Sequence, residues 1–146
     1  MRKIYRNFIN QEDVDNENLL GIGQGMFHVL KSPENCLAYK VIDAIKEDFD
    51  FTVKKESYWR VERRHDGHQW HKDTGSSDHM MWCDVGISII LKNSANGGDT
   101  YYGDDIEGTN AVKADRNQFD LIAHTSDEWH MVTKNDGKRV VFLMFI

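Results

Sequence analysis

From Tyr58 onward the chain is cut into eight short β-prone runs with no helical segment between them. They are YWRVER (58–63), HQWHKD (68–73), VGISIILK (85–92), DTYYG (99–103), NAVKA (110–114), FDLIA (119–123), WHMVTK (129–134) and RVVFLMFI (139–146). The breaks carry Asp66-Gly67, Gly97-Gly98, Gly108 and Asp136-Gly137, residues that accept the backbone conformations of tight turns. Such a series folds as an all-β sandwich or barrel. The last run narrows the choice. Val141, Leu143 and Phe145 alternate with Val140, Phe142 and Met144, so both faces are apolar and both must be covered. One face then looks into the barrel and the other toward a helix.

That helix is predicted from SPEN at 32–35. Ser32 reads as the N-cap and Pro33 as the first helical residue. Leu37, Ala38, Val41, Ile42 and Ile45 follow on one face, which predicts a helix over 33–47. The earlier QEDVDNENLLGIGQG reads as a weak helix or a loop. The fold class is therefore mainly β: a jelly roll with N-terminal helix or helices packed on one sheet. A chain of 146 residues is read as one domain, 1–146, with 1–52 as helical support and 58–146 as the jelly-roll core.

Charge excludes some partners. A net charge of −6 offers no electrostatic attraction to nucleic acid. The one basic cluster, RVERRH at 60–65, reads as a solvated strand end. Cys36 and Cys83 stand alone, without the spacing of a zinc ribbon. The N-terminal MRKIYRNF lacks an apolar signal core, and no stretch approaches the ~18 apolar residues of a membrane span. These features predict a cytoplasmic protein with reduced thiols and no membrane partner.

Within the β-rich part, His71 and Asp73 lie two apart, so on a strand they point to one side. A metal site needs a third ligand, and His130 is the candidate. Asp136-Gly137 is a residue pair preferred in two-residue hairpins. If NDGK (135–138) forms one, Asn135 pairs with Lys138 and Lys134 with Arg139. Residues 130, 132 and 134 then share a face with 139, 141 and 143, with His130 and Arg139 about 13 Å apart along the strands. Two imidazoles and one carboxylate are the facial triad of non-heme Fe(II) oxygenases. A guanidinium facing them would grip a carboxylate in two-point fashion.

With these residues in place, the sequence resembles the 2-oxoglutarate- and Fe(II)-dependent dioxygenases, in the prolyl 4-hydroxylase-like branch. The resemblance rests on His71-Lys72-Asp73, SIILKNSANGGDTYY (88–102), His130-Met131-Val132 and Arg139, within residues 58–146. It implies a double-stranded β-helix of the cupin-like kind. It implies Fe(II) held by His71, Asp73 and His130 as metal and catalytic residues, with Arg139 binding the distal carboxylate of the cosubstrate 2-oxoglutarate. It further implies O2 as the oxidant, release of succinate and CO2, and hydroxylation of a protein, peptide or amino-acid substrate, prolyl or otherwise. Two tyrosines that relatives often place near the cosubstrate are absent: Arg63-Arg64-His65-Asp66-Gly67 and Ile89-Ile90 stand at those places, so the helpers of Arg139 are left open. Phe145 stands where the nucleic-acid demethylase branch usually carries a second arginine, against that branch. Two other readings stay open: a cupin-like metal-binding protein, which usually has His-x-His rather than His71-x-Asp73, and a non-catalytic binding domain on the same fold.

Other conspicuous residues read more plainly. His65 and His68 are assigned to loop or rim, on different faces, and His124 to a polar strand end. Trp70, Trp82 and Trp129 are core or pocket wall, with Trp70 and Lys72 facing away from the metal side. Tyr101 and Tyr102 line the barrel mouth or simply fill a strand. The loops at 74–84 and 103–109 are the predicted places of substrate selection.

Overall fold

The computed structural model describes residues 1–74 and 79–146. Ten strands form two antiparallel sheets. The larger holds β1 (Arg2–Tyr5), β8 (Leu121–Thr125), β5 (Val85–Lys92), β10 (Val140–Phe145), β3 (Tyr58–Glu62) and β2 (Phe27–His28), in that order. The smaller runs β4 (His68–His71), β9 (Trp129–Val132), β6 (Thr100–Gly103), β7 (Val112–Lys113). The protein is mainly β, a two-sheet sandwich of jelly-roll type with few helices.

β10 sits between β5 and β3, and its two faces do different jobs. Val140, Phe142 and Met144 join Val61, Ile87 and Ile89 in the main hydrophobic cluster. Leu143 and Phe145 turn the other way and line a cavity between the sheets. The cluster is completed by one stripe of α2 (Leu37–Ile45): Leu37, Ala38, Val41 and Ile45, all buried. Burying such side chains stabilises the fold by roughly 1.5–3 kcal/mol each.

The helix start differs from the predicted one. Pro33 closes a turn onto the Cys36 amide, and α2 begins at Leu37 with Cys36 as its cap residue. Ser32 does not cap it: the Ser32 hydroxyl donates to the His28 carbonyl and accepts from the Trp59 indole at 2.9 Å. The first-turn amide of Leu37, which has no partner within the helix, is satisfied instead by Glu17 Oε1 at 2.8 Å. α2 also ends at Ile45 rather than residue 47. Ahead of it, α1 (Gln11–Asn16) forms inside the segment read as a weak helix or loop, held by a reciprocal Asn10–Asp13 capping box.

The predicted hairpin after His130 does not form. β9 belongs to the small sheet and β10 to the large one. The intervening corner spends its hydrogen bonds elsewhere. Asn135 donates its amide to the His65 carbonyl and bridges to Gly97, while Asp136 Oδ2 accepts from the Ala95 amide. Asn135 and Asp136 also accept from the Gly137 and Lys138 amides, stabilising the corner from within. Gly137 has the positive φ that the Asp-Gly pair announces, but at a crossover between sheets.

Two strands escaped the sequence reading. β1 pairs with β8, setting Arg2 opposite His124, and β2 pairs with β3.

Candidate metal centre and anion pocket

β4 ends at His71, and Asp73 follows on the same side. β9 lies alongside in antiparallel register, which puts His130 directly across from His71. Nitrogen and oxygen atoms of His71, Asp73 and His130 all lie within 4.8 Å of one another. The position of His68 follows from a local irregularity. A bulge between His68 and His71 opposes two residues of β4, Gln69 and Trp70, to one of β9, Met131, so strict alternation fails. His68 therefore stacks on His71, ring centroids 3.6 Å apart, and stands exposed at the rim of the cavity. His65 stays exposed beside Asp66.

The local chemistry suits a divalent metal. His71 Nδ1 lies 2.7 Å from the Gln69 carbonyl, and His130 Nδ1 2.9 Å from the Glu128 carbonyl. A carbonyl only accepts, so each Nδ1 carries a proton and Nε2 is the ring nitrogen left to face a metal, which would displace any proton there. Those two Nε2 atoms lie 4.0 Å and 3.4 Å from Asp73 Oδ1. Burial, aided by the charge on His130, pushes His71 down to about 4, which keeps it a neutral ligand. Burial pulls His130 down as well, but its contact with Asp73 outweighs that and leaves it raised. Burial alone would raise Asp73, yet the charges and hydrogen bonds of His124 and His130 hold it well below the usual carboxylate range.

His124 is not the plain strand-end residue the sequence suggested. It is buried, with Nε2 2.6 Å from Asp73 Oδ2 and Nδ1 2.8 Å from the Tyr102 hydroxyl. Two sequence signals pointed to it. Leu121 and Ala123 belong to the core cluster, so His124 faces the other side of β8, into the cavity. Opposite it stands Gly86, a glycine in the middle of an apolar strand, which marks a close approach. A Cβ at position 86 would overlap Asp73 Oδ2 and come within 2.7 Å of His124 Nε2.

The same cavity, about 90 Å³, also receives Arg139. Arg139 is 7% exposed, and its Nε has no hydrogen-bond partner. Glu62 and Asp99 act on it through space, but Glu62 is paired with Arg60 and Arg64, and Asp99 with Lys113. The Gly97-Gly98 turn makes room for it: a Cβ on Gly98 would sit 2.6 Å from Arg139 Cδ, and both glycines hold positive φ. Arg116, unnoticed in the sequence, lines the cavity beside it. Its guanidinium donates to Ser88 Oγ at 2.6 Å and Thr100 Oγ1 at 3.1 Å, and no carboxylate among the described residues forms an ion pair with it. Nothing in ADRNQF marks it in advance.

The basic run at 60–65 is more than a solvated end. Arg60 and Arg64 line the cavity, and Arg63 donates to the Leu20 and Ile22 carbonyls. Trp70 lies over Gly103 and Gly108, and the Lys72 ammonium sits over the Trp129 ring at 5.2 Å. Of the loop at 74–84, residues 75–78 lie outside the described residues.

No protein-family model matches this sequence, and no curated protein matches it either. Solved structures do. A prolyl-4-hydroxylase from Pseudomonas putida superposes with a TM-score of 0.65 at 10% identity, over 99% of this chain and 83% of that one. A prolyl hydroxylase from Trichoplax adhaerens, solved with a hypoxia inducible factor oxygen degradation domain peptide fragment, gives 0.64 at 16%, over 99% and 83%. A prolyl 4-hydroxylase structure from Phytophthora capsici gives 0.63 at 13%, over 99% of this chain and 57% of that one. At these identities the likeness is one of fold: nearly the whole chain is folded as prolyl 4-hydroxylases are.

Proposed function

We propose that this chain is an Fe(II)- and 2-oxoglutarate-dependent hydroxylase, built on a double-stranded β-helix, acting on a peptide, protein or amino-acid substrate. One observation carries the reading. A single cavity holds two imidazoles that turn Nε2 toward a buried carboxylate, and also a buried guanidinium that forms no ion pair among the described residues. His71, Asp73 and His130 would hold the metal, and the donor types fit Fe(II). When bound, the metal and cosubstrate would supply oxidative decarboxylation and the oxidising equivalent, with succinate and CO2 as by-products and O2 consumed. Arg139 would bind the distal carboxylate of 2-oxoglutarate, with Arg116, Ser88 and Thr100 beside it. Leu143, Phe145 and Ile87 would exclude water from the space between. The peptide bound by the Trichoplax structure supports, by analogy of fold, a peptide substrate at the cavity mouth. Cys36 and Cys83 are buried and unpaired, which supports a reducing, cytoplasmic setting.

The test is anaerobic titration with Fe(II) and 2-oxoglutarate, followed by air. A weak visible charge-transfer band and then succinate are the expected results. Metal binding without any response to 2-oxoglutarate would favour a cupin-like protein, and binding of neither would leave a non-catalytic domain. The substrate itself is sought by mass spectrometry, as peptides or amino acids that gain one oxygen atom.

A further inference from the structure

Three histidines surround Asp73, and they are wired in two ways. His71 and His130 each commit Nδ1 to a backbone carbonyl and turn Nε2 toward Asp73 Oδ1. His124 commits both nitrogens: Nε2 to Asp73 Oδ2 at 2.6 Å and Nδ1 to Tyr102 at 2.8 Å. It has no lone pair to offer a metal. We infer that His124, set by Tyr102, is a positioning residue that reserves Oδ2 of Asp73 and so makes this carboxylate present one oxygen, Oδ1, to the metal.

The direction of each bond follows from chemistry. An ionised carboxylate only accepts, so His124 Nε2 carries the proton it donates to Oδ2. A neutral imidazole protonated at Nε2 is an acceptor at Nδ1, and the Tyr102 hydroxyl donates to it. Tyr102 therefore fixes the tautomer that His124 needs. All three side chains are buried, with 3–6% exposure, so water does not compete for these bonds. The chain also ties the two sheets together, since Tyr102 lies on β6 and His124 on β8. Gly86 keeps the space in which Oδ2 and Nε2 meet.

The consequence is a count of open positions. A carboxylate using both oxygens occupies two places around a six-coordinate metal. Held to one, with two imidazoles, it leaves three, enough for a chelating 2-oxo acid and dioxygen. The inference rests on the metal site proposed above, and its test separates the two.

Co(II) is the probe, since it reports coordination by its visible spectrum and does not require turnover. The whole protein and the variants His124→Phe, His124→Gln and Tyr102→Phe are titrated with Co(II) well below their unfolding temperatures. His124→Phe is expected to bind Co(II) about 10–100-fold more weakly, the range for losing a partner of a ligand. Its Co(II) spectrum should shift as Oδ2 is released. His124→Gln, whose amide N–H can still reach Oδ2, should recover most of the affinity, and Tyr102→Phe should fall between. If His124→Phe does not fold, Tyr102→Phe and His124→Gln carry the same test. A lowered unfolding temperature with unchanged Co(II) affinity and spectrum in the folded variants would mean a structural role only and overturns the inference. If the unmodified protein fails to bind Co(II), the metal site itself falls, and this inference with it.

Discussion

The two ends of the cavity are finished to different degrees. At the His71 end the polar side chains answer one another: carbonyls orient two imidazoles, and His124 and Tyr102 hold the carboxylate. At the Arg139 end the guanidinium is buried and its Nε lacks a partner, with Arg116 adding a second positive charge. An unpaired buried charge is costly. The metal end is organised by the protein before anything binds. The cationic end would, on the proposed function, be completed by an anion, and binding there should be steep in charge.

That contrast can be broken from either side. Asp73→Ala should have the largest effect. It removes the carboxylate that joins His71 and His130 at the metal end and should leave no measurable Co(II) binding by calorimetry, while the protein still responds to dicarboxylates. Arg139→Leu should do the reverse. Losing one partner of a buried charge pair costs about 2–5 kcal/mol, so 2-oxoglutarate affinity should fall by roughly 30-fold or more with Co(II) affinity unchanged. If both variants lose both ligands together, the two ends are not independent and the contrast fails.

Two glycines allow a finer cut. Gly86→Ala places a methyl group against Asp73 Oδ2, and Gly98→Ala places one against Arg139 Cδ in a backbone with φ of 78°. Each should cost about 1–3 kcal/mol of stability by crowding or strain, read by denaturant unfolding. Gly86→Ala should weaken Co(II) selectively, and Gly98→Ala 2-oxoglutarate selectively.

The smallest effect on ligand binding is expected away from both ends. Asp120 is buried and accepts from Arg6 at 2.8 Å and from the Asn7 and Asn117 amides. Burial acts to raise its pKa, but these bonds prevail and depress it. A depressed carboxylate stabilises the fold above its ordinary value of 3.8 and loses that contribution as pH falls through the folded value. Asp120→Asn should therefore lower stability by roughly 1.5–3 kcal/mol at neutral pH, with the difference shrinking below about pH 4. Ligand binding at either end should be unaffected.

How much of this was visible beforehand depends on distance along the chain. β5 matches its predicted run, 85–92, and β10 falls within 139–146, because their β-prone patterns are local. His71 and Asp73 share a side because they are two residues apart. The side shared by His130 and Arg139 was argued from a hairpin that does not exist. Turn chemistry is local, whereas the choice of pairing partner is not, and Asn135 found Gly97 instead of Lys138. The same limit hid β1: four residues whose partner lies more than a hundred positions away carry no readable pairing signal. The helix cap failed because Ser32 and Leu37 found partners in Trp59 and Glu17, which no local pattern names. His124 and Gly86 were readable only as a pair across two strands.

The corner at 135–138 has a last consequence. Because β9 and β10 leave it for opposite sheets, His130 and Arg139 are mounted on opposing jaws of the sandwich. Their separation is set by how far the two sheets stand apart, near 10 Å in packed sheets, and not by the eight residues between them. If 2-oxoglutarate binds as proposed, the cavity would work as a caliper. Its jaw opening is a property of the whole core, so a dicarboxylate one carbon too short or too long would be rejected by the packing of side chains it never touches.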